Sequence, residues 1–104
     1  MNALALFLAL VLQGNPTCHS DRPASGLINN QSYSVQTFQC YWGESETLPS
    51  HTFDVWSWMC GPVRQPILVK ERQSQKGWAL NEFGEFSPAP MDLDLRQVYR
   101  PRCG

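Results

Sequence analysis

His51 is the residue whose type comes closest to a catalytic group. Imidazole titrates near neutrality, so a histidine beside a carboxylate can move a proton. Glu44, Glu46 and Asp54 lie near it in the sequence. A general acid–base pair for a small secreted hydrolase can be built from these residues. His19 is the only other histidine, and no nucleophile-elbow, P-loop, zinc-protease or dinucleotide motif is present. No catalytic residue is assigned on this basis. Asp92 and Asp94 flank Leu93 and would suit a divalent cation through paired carboxylates. On a strand they would share a solvated polar face, so neither a metal nor a cofactor is expected.

Binding chemistry is better represented. Trp56 and Trp58 are two residues apart, so in a strand they share a face, together with Asp54 and Cys60. Phe53, Val55 and Met59 take the other face. Two apolar faces describe a central core strand. The competing reading is an aromatic platform for a sugar ring or a partner protein, extended by Tyr41 and Trp42. Trp58 lies two residues from Cys60 and is expected in the core. Trp56 is nearer Asp54 and is expected closer to the surface.

Cys18, Cys40, Cys60 and Cys103 are even in number and well spread, with no C-x-x-C among them. That excludes a zinc ribbon or thioredoxin-like site and suggests disulfides. Four cysteines allow three pairings. Loop size favours Cys40–Cys60, leaving Cys18–Cys103. Asn30-Gln31-Ser32 is an N-glycosylation sequon in a polar stretch, whereas Asn15-Pro16-Thr17 is disqualified by its proline.

The compartment follows from the first residues. Positions 3–12 carry no polar side chain and are followed by Pro16. This matches the apolar core of a secretory signal and is too short to span a bilayer, which takes about 20 residues. Residues 1–14 are therefore expected to form a signal-like helix, cleaved after Gly14, and 15–104 a single cysteine-containing domain. Residues 15–32 are expected to be loosely ordered. The protein is expected to be secreted, with no stable membrane span apart from the signal.

The elements that must position these groups are mostly strands. Residues 33–42 and 53–60 are rich in β-branched and aromatic types. Residues 67–69 form a short apolar run after Pro66, and 78–86 suggest a further strand around Gly84. Two prolines in 87–90 read as a connector. Residues 91–100 fit two patterns. Met91, Leu93 and Leu95 alternate as in a strand, while Met91, Leu95, Val98 and Tyr99 fall on a helix face. The expected fold is a small, mainly antiparallel β-rich domain stapled by disulfides, with one short C-terminal helix as an option. Cys40, Trp56 and Cys103 follow the order of immunoglobulin domains, but Tyr99 stands four residues before Cys103 rather than two, so the likeness does not carry.

The chain has 104 residues, a formal charge of −1, 16% charged residues and 42% hydrophobic residues. Such a balance is too apolar for disorder and too weakly basic for a nucleic-acid partner. Three function classes follow. The first is a secreted binding module whose aromatic face, Trp42, Trp56 and Trp58, contacts a protein or glycan. The second is the product of a reading frame with no selected function, suggested by irregular apolar periodicity and scattered prolines. The third is a small secreted hydrolase using His51.

Overall fold

The computed structural model describes residues 17–41 and 51–98. Over these residues the chain forms β1 (Thr17–Ser20), β2 (Ala24–Ile28), β3 (Gln31–Tyr41), β4 (His51–Cys60), β5 (Val63–Glu71), β6 (Lys76–Leu80) and β7 (Phe86–Ala89). A single 3-10 turn, Leu95–Gln97, follows. The signal-like segment, Trp42, Glu44, Glu46 and Cys103 lie outside the described residues.

All pairings are antiparallel, in the order β1-β3-β4-β5-β6-β7, with β2 also on β3. The long strand β3 thus receives β1 against residues 38–41 and β2 against residues 31–35. Short turns join β2 to β3, β4 to β5, β5 to β6 and β6 to β7, so each of these pairs is adjacent in the sheet. Asn29 and Asn30, with φ of 50° and 64°, link β2 to β3 in the geometry of a type I′ hairpin. Gly61, at φ 64°, precedes Pro62 between β4 and β5, the chemistry of a type II′ turn. Asn81 holds the β6–β7 turn by accepting at Oδ1 from the backbone of Phe83 at 2.9 Å and of Glu85 at 3.1 Å.

Strand β4 lies between β3 and β5 and is covered on both faces. Cys40, Phe53, Val55 and Val69 form one buried cluster. Trp58, Ile67, Leu68, Leu80, Leu95 and Val98 form the other. The second cluster is closed by the C-terminal segment, which folds back over the sheet. Its turn is capped by Asp94, whose side chain accepts from the Arg96 backbone, while Gln97 reciprocates to the Asp94 backbone. A bulge at Trp56/Ser57 leaves Ile67 without a cross-strand partner. Ile67 is nevertheless fully buried. Bulges of this kind add local twist.

Several expectations need correction. The stretch 78–86 is not one strand. Asn81 and Gly84, the latter at φ 79°, turn it into the hairpin of β6 and β7. Residues 86–89 are a strand and not a connector, despite Pro88. Proline is tolerated because, among the described residues, β7 pairs only with β6, and one side of the strand has no ladder to complete. Residues 91–98 form neither a long helix nor a strand. Over its described residues, the segment expected to be loosely ordered contributes β1 and β2.

The disulfide pairing also differs. Cys18 bonds Cys40 across the β1–β3 ladder, where the two are direct partners with Cα atoms 4.1 Å apart. Cys40–Cys60 and Cys18–Cys103 are thereby excluded. Cys40 stands opposite His51 at the start of β4, and Cys60 ends that strand. At roughly 3.3 Å per residue, nine steps place Cys60 ~30 Å away, beyond the ~7 Å reach of a disulfide. Cys60 is itself disulfide-bonded.

Candidate functional site: an aromatic groove

The sheet register decides which side chains meet. Val35, Trp56 and Leu68 are cross-strand neighbours on β3, β4 and β5, with Tyr33 opposite Trp58 one step along. Trp58, 4% exposed, belongs to the buried cluster that holds Leu95 and Val98 of the C-terminal segment, while Trp56 packs against that cluster and stays half-buried. The result is an open groove of about 520 Å³. Trp56, Tyr33 and Leu68 line it from the sheet, and Leu93, Leu95 and Arg96 from the C-terminal segment. The β2 end and the Asn29 turn close it at one side.

Tyr33 is set by packing on two sides. Its ring meets Trp58 edge-on, with centroids 6.4 Å apart and planes at 84°. On the other side it lies over Gly26, where a Cβ would fall 2.6 Å from the Tyr33 hydroxyl. Glycine is therefore the residue that lets the tyrosine lie flat across β2.

Charge in the groove is uneven. Asp94 and Arg96 pair on the rim, with Arg96 Nη2 3.1 Å from Asp94 Oδ2. The hydrogen bonds from the Arg96 side chain and backbone hold the Asp94 carboxyl down at about 2. Both charges are thus largely spent on each other. Lys70 places its ammonium 5.1 Å from the centroid of the Trp56 ring, within cation–π range. Among the described residues no carboxylate comes within ion-pair distance of it. Asp54, directly across the ladder from Lys70, is taken by Arg72 through two bonds of 2.8 and 2.9 Å and by the Thr37 hydroxyl at 2.8 Å. Burial pushes the Asp54 carboxyl up, but these bonds and the positive charges of Arg72 and Lys70 outweigh it and hold it below its ordinary value.

The groups proposed for acid–base chemistry are arranged differently from their sequence order. Asp54 turns to Arg72 and Thr37, not to His51. The carboxylate that meets His51 is Glu71, with Nδ1 2.6 Å from Oε1. Glu71 is almost fully buried, while His51 keeps an exposed edge and stacks on Phe53 at 6.5 Å. Cys40, opposite His51 in the ladder, is bonded to Cys18 and offers no thiol. The pair satisfies a buried carboxylate. Asp92 is exposed, and Asp94 is committed to its cap and to Arg96. Among the described residues no three His, Cys, Asp or Glu side chains converge as a metal site would require.

Of the tryptophans singled out in the sequence, Trp56 lines the groove, Trp58 lies in the core beneath it, and Trp42 is outside the described residues. Lys70, Tyr33, Leu93 and Arg96 carry no local signal for such a role. They meet only because three strands and a returning segment bring them together. Comparison with models of known protein families, with curated protein sequences and with solved structures finds no match to this chain.

Proposed function

We propose that this chain is a small exported, disulfide-stapled binding module whose groove, centred on Trp56, receives an apolar side chain of a protein partner beside an acidic one. The observation that carries the reading is the half-buried Trp56 ring under the Lys70 ammonium in an open groove. Aromatic rings with a nearby cation are the usual anchors of protein interfaces. The floor of Leu68, Leu93 and Tyr33 suits aliphatic and aromatic side chains. The polar rim pair, Asp94 and Arg96, is internally satisfied, so it offers fewer hydrogen bonds than a sugar ring would need. A protein partner is therefore preferred to a glycan. The Cys18–Cys40 bridge supports an oxidising compartment and hence secretion.

The test is a peptide-display selection against the oxidised chain, counter-selected on the folded Trp56→Ala variant. Enriched peptides should pair a large apolar residue with Asp or Glu, and lose at least tenfold in affinity on Trp56→Ala and on Lys70→Ala. Peptides indifferent to both substitutions would refute the assignment. Binding confined to a glycan array and lost in the same variants would replace the protein partner with a carbohydrate.

A further inference from the structure

Outside the groove's aromatic floor, the β2–β3 turn carries the acceptor sequence Asn30-Gln31-Ser32, and its geometry separates two explanations for the asparagine. An asparagine in a turn can be there for its backbone or for its side chain. Asn81 illustrates the second case, since its side-chain oxygen accepts two backbone hydrogen bonds that hold the β6–β7 turn. Asn30 is different. It is exposed, sits at φ 64°, and among the described residues its amide makes no hydrogen bond. Backbone tolerance of the left-handed region accounts for Asn29 and Asn30 as turn residues. It does not account for Ser32, which is exposed on β3 opposite Leu27. Leu27 is itself 68% exposed, apolar surface that a sugar would screen from water. Gln31, between the two, is anchored through its side chain to the Met59 carbonyl at 3.1 Å, so the hairpin end is held against β4 while Asn30 stays open to solvent.

From this we infer that Asn30 is a site of N-linked glycosylation. Its side-chain amide nitrogen displaces a lipid-pyrophosphate leaving group from an oligosaccharide donor and loses one proton as the N-glycosidic bond forms. The glycan stands one residue from Asn29, at the edge of the groove. The inference rests on the export proposed above, and the two can fail separately. Of the two N-x-S/T triplets in the chain, the one at Asn15 contains proline, so a single acceptor makes the test clean.

The full chain is translated with endoplasmic-reticulum microsomes and read by gel mobility before and after peptide N-glycosidase treatment, with added protease to report translocation. The expected product is protease-protected and one glycan heavier, and it collapses to the unmodified mass after enzyme treatment. Asn30→Gly keeps the turn and abolishes the shift. Ser32→Ala also abolishes it, and Ser32→Thr retains it. A protected but unglycosylated chain overturns the site while leaving export intact. An unprotected chain overturns export and the site with it.

Discussion

Replacing Trp58 by alanine empties a position that is only 4% exposed, beneath the returning C-terminal segment and beside Leu68, Leu95 and Val98. A buried indole removes about 150–250 Å² from water, worth ~4–6 kcal/mol at ~25 cal/mol per Å² as an upper bound. Large-to-small core substitutions of aromatic residues are measured at ~3–5 kcal/mol, so about 4 kcal/mol is expected. Trp56 differs in burial: it packs against the same cluster but keeps part of its surface open to solvent. Its replacement forfeits part of that burial, about 2 kcal/mol, and the Lys70 contact, itself ~0.5–1 kcal/mol, for a total of about 2.5–3 kcal/mol. The assay is urea unfolding of the oxidised chain followed by far-ultraviolet circular dichroism. With a slope of ~1 kcal/mol per molar for a domain this small, the Trp58→Ala midpoint should fall about 1 M or more below that of Trp56→Ala. Small domains have net stabilities of only ~5–15 kcal/mol, so Trp58→Ala should also yield little folded protein on expression. Equal midpoints, or a larger loss at Trp56, would show that Trp58 is not the more deeply buried of the two as described.

Three further outcomes are expected. Peptide mapping without reductant should join Cys18 to Cys40, and full oxidation of four cysteines then requires Cys60–Cys103. Removing the first bridge by paired alanines should cost about 3 kcal/mol for a loop of this size, where the sequence separation is 22. Asp54 has a folded pKa depressed below its ordinary value of 3.8, so its contribution is complete above that value and is lost as pH falls through the lower folded pKa. The stability gap between wild type and Asp54→Asn should accordingly be widest near pH 6 and shrink below about pH 4, and a gap that widens in acid would contradict the Arg72–Thr37 arrangement. Gly26→Ala should push Tyr33 off β2, because the new Cβ would meet the far end of that flexible side chain. Affinity for selected peptides should fall at least tenfold with a melting temperature nearly unchanged, as measured by titration and thermal denaturation of the same sample.

Composition alone reached the strands. β-branched and aromatic residues marked the centres of β3, β4 and β5, because such side chains lose little on a pleated surface. The apolar content of both faces of residues 53–60 placed that strand inside the sheet, where β4 lies between β3 and β5. Local chemistry also announced the Gly61-Pro62 turn. The limits of β5 were hidden, since Arg64, Gln65 and Pro66 resemble a loop until β4 supplies their partners. β7 was hidden for the same reason, since an edge strand can carry a proline that a central strand cannot.

Everything that depends on register belonged to the tertiary structure. A strand's sequence states which side chains alternate but not which neighbour stands opposite, and a slip of one residue exchanges the faces. Hence Cys18 rather than Cys60 reaches Cys40, because β1 lies beside β3 while Cys60 ends the far side of β4. Glu71 rather than Asp54 meets His51, because the β4–β5 ladder brings them to the same face. Trp56 and Trp58 alternate identically in the sequence, and only the packing around them buries one in the core cluster and leaves the other lining a groove.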